Sequence, residues 1–172
     1  MVAPYTVMHI KEGVIKKESS SSDKREVGMI IRVIEVLRGM VGEKPSIGVI
    51  TFFTKQKQLI SLEVQTKKLN NIMVNTVEGF KGNERDIIIV YCGGSSSWGS
   101  ELLQGRNMMN IALTRAKYNM VIVGNMEILQ SSQMWRELVS DAKERNVYYI
   151  IDKEKETEML KEALCVSNLS SS

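Results

Sequence analysis

The sequence predicts an α/β domain with a mainly parallel sheet, on the basis of two observations. Short apolar runs recur along the chain, and Ile47 to Phe53 and Ile87 to Cys92 are apolar without alternation, as in strands covered by helices on both faces. Segments with the apolar spacing of helices separate most of these runs. Strands that alternate with helices indicate parallel pairing, because a parallel neighbour is reached through a crossover.

The length and composition suit a single domain. The 172 residues can bury a sizeable core, and 43% of them are apolar and 25% charged. We expect one domain over residues 1–165 and a disordered tail over residues 166–172. The net charge of +3 permits an acidic partner such as nucleic acid but does not require one.

Several classes of protein are excluded by what the sequence contains. Its two cysteines and one histidine form no cluster with the spacing of a zinc site, so we predict no metal ligands. No apolar run reaches the ~18 residues needed to cross a bilayer. His9, Lys11 and Glu12 interrupt the N-terminal segment, which is therefore not a signal peptide. We expect a protein of the nucleus or cytoplasm that does not contact membranes.

The first half of the chain is expected to contain three strands and two helices. They are placed at Tyr5 to Ile10, residues 24–40, Ile47 to Phe53, Lys55 to Lys68 and Ile72 to Thr76. The polar stretch before the first helix contains a run of four serines and is interpreted as an exposed loop. Asp23 is predicted to cap that helix, because Glu26 stands three residues later as in a capping box.

The second half continues the alternation after a loop at residues 77–85. A strand is expected at Ile87 to Cys92, a mobile glycine- and serine-rich loop at 93–105, a helix from Arg106, a strand at Tyr118 to Val123, one or two helices within 125–146, a strand at Val147 to Ile151 and a helix at Glu154 to Leu164. Parallel strands end at the same edge of a sheet. Thr51, Thr76, Gly93 and Asn125 should therefore line one edge.

The stretch from Arg106 to Asn125 places an arginine in an unusual position. A helix there would carry a polar stripe of Asn107, Asn110, Thr114 and Lys117. Arg115 would fall beside Met108 and Ile111 on an apolar face. A cation on such a face is costly unless an anion meets it. The alternatives are a pair with an internal carboxylate or a cap on the carboxyl end of the helix.

Three segments, in this order, resemble the motifs of one enzyme family. IGVITFFTKQ (Ile47 to Gln56) resembles motif IV of superfamily 1 helicases, VNTVEGFKGNERDIIIVYC (Val74 to Cys92) resembles motif V, and NIALTRAKYNMVIVGN (Asn110 to Asn125) resembles motif VI. The order is that of the second RecA-like domain, and the likeness is greatest to the senataxin branch of the Upf1-like group. The resemblance implies a three-layer RecA-like fold of the P-loop NTPase type.

The resemblance also implies a nucleotide site, with ATP and Mg²⁺ between two RecA-like domains. Arg115 matches the arginine finger of motif VI, which stabilises charge on the transferring γ-phosphate. Glu84 matches the motif V acid that contacts the ribose, with an exposed carboxylate paired with Arg85 as the alternative. Gly82 would allow close approach of the backbone, with a plain turn glycine as the alternative.

Motif IV supplies three further candidates for the nucleotide. Phe53 stands at an aromatic position that can stack on adenine, and the alternative is packing in the core. Lys55 and Lys57 follow the motif, where a basic residue often lies near the phosphates, and the alternative is a solvated start of a helix.

The resemblance implies contacts with single-stranded RNA or DNA as well. Thr51 and Thr76 match backbone contacts, since a hydroxyl after a strand can donate to a phosphate without reading sequence. Their alternative is capping of the following turn. Asn110 and Thr114 of motif VI are carried over as further nucleic-acid contacts. Some departures from the family remove positive charge: Asn83 and Met108 stand where Arg is frequent, and Gly93 and Gly94 replace a Val-Arg pair.

Two family features are missing from the sequence. It contains no GxxxxGK[ST] phosphate loop and no Asp-Glu pair after an apolar strand. Both belong to the first motor domain of these helicases. We therefore expect a second motor domain that needs a first RecA-like domain, in cis or in trans, and that does not hydrolyse ATP by itself. The alternative is a non-catalytic adaptor that keeps the fold to bind nucleic acid or a protein.

Overall fold

Helices cover both faces of a six-stranded parallel sheet in the computed structural model, which describes residues 4–11, 19–93, 106–152 and 156–169. The strands are β1 (Tyr5–Ile10), β2 (Ile47–Thr51), β3 (Ile72–Thr76), β4 (Arg85–Cys92), β5 (Ala116–Gly124) and β6 (Tyr148–Ile151). Their order is β3-β2-β4-β5-β1-β6, and every neighbouring pair is parallel. The prediction of an α/β fold with a mainly parallel sheet is confirmed.

Two layers of helices enclose this sheet. The helices are α1 (Ser19–Val41), α2 (Thr54–Thr66), α3 (Arg106–Leu113), α4 (Met126–Leu129), α5 (Gln133–Glu144) and α6 (Glu156–Leu169), and a 3₁₀ turn spans Glu78–Phe80. Side chains of α1, α2 and α6 share one buried cluster, and those of α3, α4 and α5 share the other. The domain is therefore a three-layer structure.

The central strands explain why both faces are covered. Val49 and Ile89 belong to one buried cluster, while Ile50 and Ile88, their neighbours along the strands, belong to the other. Each is fully or almost fully buried, and such a side chain contributes roughly 1.5–3 kcal/mol. Continuous apolar runs are therefore needed in these strands, as the sequence predicted.

Two element boundaries differ from the sequence-based expectation. Helix α1 begins at Ser19, within the serine run, so Asp23 lies inside the helix and the prediction that it is the N-cap is wrong. Serine is well tolerated in the first turn of a helix, and the buried face that begins at Val27 stabilises the turns before it. Helix α6 continues to Leu169, four residues into the segment expected to be a disordered tail.

Residues 77–84, which we call the crossing segment, connect β3 to β4. Because both strands run parallel to β2, this segment must return from the carboxyl ends of the strands to their amino ends. Phe80 anchors it by packing against β2, where a Cβ built on Gly48 would lie 2.6 Å from Phe80 Cζ. Gly48 therefore leaves the space that Phe80 fills.

Neither a membrane helix nor a metal cluster is found among the residues that the structure describes. No helix there is long and apolar enough to cross a bilayer. Within the same residues, no group of three or more histidine, cysteine, aspartate or glutamate side chains is arranged to hold a metal ion.

Candidate functional site

The parallel sheet has two edges, and each carries a different set of candidate residues. At the carboxyl edge, Thr51 of β2 is in register with Thr76 of β3, and Cys92 of β4 with Gly124 of β5. Gly93 and Asn125 directly follow these last two residues. The prediction that Thr51, Thr76, Gly93 and Asn125 line one edge is confirmed, while the rest of the predicted loop, residues 94–105, lies outside the described residues.

The amino edge carries Glu84 and Arg115. Each residue directly precedes a strand, and the two strands are neighbours, with Arg85 paired with Ala116. The backbone amide of Arg85 donates to the carbonyl oxygen of Arg115 at 3.2 Å. The ends of motifs V and VI are therefore joined by a hydrogen bond at this edge.

Arg115 was expected on the apolar face of the helix, but it lies beyond the end of the helix. Helix α3 ends at Leu113, and the Arg115 side chain folds back, so that Nε donates to the Ile111 carbonyl at 3.0 Å and Nη2 donates to Thr114 Oγ1 at 2.9 Å. Nowhere in the described part of the chain does a carboxylate pair with it. The guanidinium thus caps the helix and still has N–H donors left for an anion.

A tight turn positions Gly82 and Glu84. Lys81 has φ −54° and ψ 128°, Gly82 has φ +77°, and the Asn83 amide donates to the Phe80 carbonyl at 2.9 Å, as in a type II turn. A Cβ on Gly82 would meet nothing within 4 Å, so the backbone conformation, and not crowding, requires glycine. The space over this turn is open to a ligand.

The Glu84 carboxylate is exposed at the amino edge. The expected alternative, an ion pair with Arg85, does not form, because Arg85 donates to the Glu84 backbone carbonyl at 2.7 Å and contacts Met73 Sδ at 3.0 Å. Over the described ranges, no cation lies within ion-pair distance of this carboxylate. It is free to accept hydrogen bonds from a ligand.

Phe53, Lys55 and Lys57 lie at the opposite edge, so the structure does not bring the predicted nucleotide-binding residues together. Thr51 is in register with Tyr91, far along β4 from Arg85, and at about 3.3 Å per residue the two levels are roughly 20 Å apart. Phe53 is the N-cap of α2 and packs partly against the core, while both lysines lie in the first turns of α2. The family resemblance assigned these residues to one site, although Phe53 follows β2 and Glu84 precedes β4.

Thr51 is a poor candidate for a nucleic-acid contact. Its side chain is 0% exposed, its hydroxyl donates to the Phe53 carbonyl at 2.9 Å, and it accepts from the Phe53 amide at 3.2 Å. The hydroxyl hydrogen is already used, so it cannot also donate to a phosphate. The alternative, that this threonine caps the turn after the strand, is what the structure shows.

Thr76 differs from Thr51, although the two are in register. It is partly exposed, and its hydroxyl oxygen accepts from the Gly79 amide at 3.3 Å. Asn75 completes the turn, since Oδ1 accepts from the Thr76 amide at 2.9 Å and Nδ2 donates to the Gly79 carbonyl at 3.3 Å. The Thr76 hydroxyl hydrogen has no acceptor within the residues described, so it is available to a phosphate.

The two candidates from motif VI are not at the carboxyl edge with Thr76. Thr114 lies at the amino edge beside Arg115, and its hydroxyl donates to the Asn110 carbonyl at 2.9 Å. Thr114 therefore lies apart from Thr51 and Thr76, and a contact between Thr114 and nucleic acid stays a prediction. Asn110 is exposed halfway along α3, and a role for it stays a prediction.

Two sets of hydrogen bonds that stabilise the amino edge were not predicted from the sequence. Arg38 donates to four backbone carbonyls, those of Gly42 (3.0 Å), Pro45 (2.7 Å), Asn70 (2.9 Å) and Asn71 (3.0 Å). Asp86 accepts from the Ser46 amide and hydroxyl, both at 2.8 Å, and these donors lower the pKa of its carboxyl group. No spacing in the sequence signals contacts between residues so far apart.

Comparison with known proteins agrees with this architecture. Residues 2–127 match the model of a family described as AAA domain. The chain is 30% identical to the probable helicase senataxin of Mus musculus over 83% of this chain and 6% of that protein. It is also 30% identical to the regulator of nonsense transcripts 1 of Caenorhabditis elegans, over 76% of this chain and 13% of that protein.

The fold has a counterpart among solved structures. The C-terminal domain of a possible DNA helicase from Lactobacillus plantarum WCFS1 superposes with a TM-score of 0.54 at 11% identity, covering 87% of this chain and 85% of that one. At this identity the likeness shows the fold alone, and the chain spans only a small part of the helicases it matches in sequence. The chain belongs to the AAA domain family, and its sequence is similar to a part of senataxin-like and Upf1-like helicases.

Proposed function

We propose that this domain is the second motor domain of an ATP-dependent helicase acting on RNA or DNA. It would supply Arg115 to an ATP whose phosphates and Mg²⁺ are held mainly by a first RecA-like domain. One observation carries the proposal: the Arg115 guanidinium is anchored at the amino edge, next to the strand start that bears Glu84, and still has free N–H donors.

Arg115 has the chemistry of an arginine finger. The guanidinium stays charged, and its terminal nitrogens can bond to two oxygens of a phosphate as negative charge moves during transfer. The bond from Nε to the Ile111 carbonyl reduces the freedom that the side chain would lose on binding. Mg²⁺ held mainly by the first domain would neutralise phosphate charge beside the Arg115 guanidinium.

Glu84 and Gly82 suit the sugar side of the same nucleotide. A carboxylate accepts hydrogen bonds from ribose hydroxyls, and the open space above Gly82 allows the sugar to approach the backbone. Adenine is bonded directly to the ribose, so a ribose at Glu84 keeps the base at the amino edge. Phe53, at the other edge, is therefore not part of this proposed nucleotide site.

The carboxyl edge suits single-stranded nucleic acid. Thr76 offers a hydroxyl hydrogen, and Lys55 is an exposed cation in the first turn of α2, which follows β2. Such groups bond to phosphates without reading bases, which fits a motor that moves along any sequence. Thr51 supports this edge only indirectly, by fixing the backbone at Phe53.

The two proposed sites are joined by the crossing segment. It starts next to Thr76, is anchored by Phe80 against Gly48 and ends at Glu84. A shift of this segment on closure around ATP would therefore change the nucleic-acid edge and the nucleotide edge together. This connection offers a physical route from ATP binding to movement along a strand.

The test is to measure ATP hydrolysis by the chain alone and by the chain combined with the first RecA-like domain of a senataxin-like helicase, each with single-stranded RNA. We expect no turnover alone and RNA-stimulated turnover in the combination. Arg115→Ala should lower kcat by about 10³-fold or more. Arg136→Ala is a matched control, because Arg136 is exposed and also donates to a backbone carbonyl, that of Gln130, at 3.3 Å.

The second candidate function is an adaptor that binds nucleic acid without catalysis. The observation that favours it is the capping of α3 by Arg115, which gives this residue a structural role. If no first domain restores hydrolysis, and single-strand binding by the chain is unaffected by Arg115→Ala, the adaptor function is supported and the motor function is contradicted.

A further inference from the structure

Thr114 links Arg115 to the end of α3 through two kinds of hydrogen bond. Its hydroxyl donates to the Asn110 carbonyl at 2.9 Å and lies 3.2 Å from the Ile111 carbonyl. The same oxygen accepts from Arg115 Nη2 at 2.9 Å. The threonine is therefore a bridge between the last turn of the helix and the guanidinium.

We propose that Thr114 is a positioning residue that fixes the orientation of the Arg115 guanidinium, and this rests on the proposed function of Arg115. Nε is held by the Ile111 carbonyl and Nη2 by Thr114, so two of the three guanidinium nitrogens are fixed. Two anchors define the plane of the group. Nη1 is then left to point away from the helix, toward a phosphate.

The side-chain chemistry of threonine matches this role. A hydroxyl can donate one hydrogen bond and accept others, so it can bond to the Asn110 carbonyl and to Nη2 at once. Branching at Cβ restricts the rotation of the side chain about χ1, which keeps the hydroxyl in place. Serine keeps the hydroxyl but not this restriction, and valine keeps the shape but not the hydroxyl.

The same bonds argue against a direct contact between Thr114 and a nucleic acid. The hydroxyl hydrogen is already donated to a helix carbonyl, so the group has none to give a phosphate. Thr114 also lies at the edge opposite Thr76. Its bonds point to Arg115 and not to a strand at the carboxyl edge.

The first test uses the full chain without nucleotide and follows the Arg115 side chain by ¹⁵N NMR. In Thr114→Val, exchange of the Arg115 Nη protons with water and rotation about the Nε–Cζ bond should become about tenfold faster, because one hydrogen bond of ordinary strength is lost. Thr114→Ser should stay close to the original. Equal rates in the original chain and in Thr114→Val would overturn the proposal.

The second test measures kinetics in the two-domain combination described above. Thr114→Val should lower kcat about tenfold at an unchanged KM, and Thr114→Ser should restore most of it, because the loss concerns orientation and not nucleotide binding. Thr66→Val is the matched control: Thr66 also ends a helix, is exposed and donates to the carbonyl four residues back, that of Leu62, at 2.8 Å.

The outcomes separate this inference from the proposed function. If no combination hydrolyses ATP, the proposed function fails, and the NMR comparison still decides whether Thr114 holds the guanidinium. If the combination is active and Thr114→Val retains full kcat, the positioning role is contradicted while the role of Arg115 stands. A KM effect alone would also contradict it.

Discussion

The backbone amide of Arg85 donates to the carbonyl oxygen of Arg115 at 3.2 Å, and this bond joins the start of β4 to the residue before β5. Glu84 is one residue from the donor, so motifs distant in the sequence present a free carboxylate and an anchored guanidinium at one edge. The two side chains have opposite charges but do not form an ion pair. Each therefore remains available to a ligand that carries both hydroxyls and phosphates.

The role of Glu84 can be separated from that of Arg115 by kinetics. In the two-domain combination, Glu84→Gln should raise the KM for ATP about three- to tenfold with little change in kcat, because a ribose contact is present in both the ground state and the transition state. Steady-state ATP hydrolysis at saturating RNA measures both parameters.

Glu78→Gln is the control for this prediction. Glu78 is also exposed on the crossing segment, but it lies at the carboxyl edge, where no nucleotide is proposed. Its substitution should leave the KM for ATP unchanged. A similar KM in both variants would show that Glu84 does not contact the ribose.

Thr76→Val should weaken binding of single-stranded RNA by about three- to tenfold, since one neutral donor to a phosphate is removed. The dependence of affinity on salt should keep its slope, because no positive charge is lost. Fluorescence anisotropy with a labelled oligonucleotide at several salt concentrations measures both quantities.

Thr51→Val provides the contrast, because Thr51 is in register with Thr76 but buried. Loss of its bonds to Phe53 should lower the free energy of unfolding by about 1–3 kcal/mol. Binding of RNA should change little under conditions where the variant is folded. The assignment of the two threonines would be wrong if Thr51→Val weakened binding more than Thr76→Val did.

Gly82→Ala should lower the free energy of unfolding by about 1–2 kcal/mol, because a Cβ is strained at φ +77° although there is space for it. Gly28→Ala is the matched control in α1, where a Cβ also meets nothing within 4 Å. It should raise the free energy of unfolding by about 0.5–1 kcal/mol, since alanine favours a helix. Urea unfolding compares them, and equal effects would show that the turn does not need glycine.

The sequence was sufficient to predict the sheet because its strands are long buried runs. Ile87 to Cys92 and the run ending at Thr51 are apolar on both faces, and burial of such side chains outweighs local preferences. The residues of the carboxyl edge could then be predicted as well, because parallel strands end at the same edge of a sheet. Positions after strands could therefore be assigned to one edge from the order of elements alone.

Which motif residues meet could not be predicted in the same way. The family resemblance assigned both Phe53 and Glu84 to the nucleotide site. However, Phe53 follows β2 and Glu84 precedes β4, so the length of the strands separates them. Likewise, the hydroxyl of Thr51 bonds to its own turn, whereas that of Thr76 keeps its hydrogen free. Such differences depend on local backbone geometry, which residue types do not encode.

His9 should make the stability of the domain dependent on pH. It is 3% exposed at the end of β1, and its Nδ1 accepts from the Met126 amide at the start of α4 at 3.0 Å. Burial lowers the pKa of His9 from 6.5, with Glu127 raising it in part and Lys11 and Lys143 lowering it further. A protonated Nδ1 could not accept from Met126, so the folded state favours the neutral ring.

The direction of the effect follows from this lowered pKa. Below about pH 6.5 the unfolded chain binds a proton that the folded chain does not, so the free energy of unfolding falls as the pH falls, by at most about 1.4 kcal/mol for each pH unit. Above that pH the contribution of His9 is fully present. Asp86, whose pKa is lowered from 3.8, changes the free energy of unfolding only at more acidic pH. Urea unfolding between pH 7 and pH 5 therefore measures the contribution of His9 without that of Asp86.

His9→Gln should remove most of this slope, because the amide oxygen of glutamine can accept from Met126 without titrating near neutral pH. Glu127→Gln is the complementary variant. Glu127 Oε1 lies 3.9 Å from His9 Nε2, and its loss should lower the pKa of His9 further and extend the slope to lower pH. A slope that is the same in the original chain and in His9→Gln would show that other groups cause it, since only a titrating ring at this position distinguishes the two proteins.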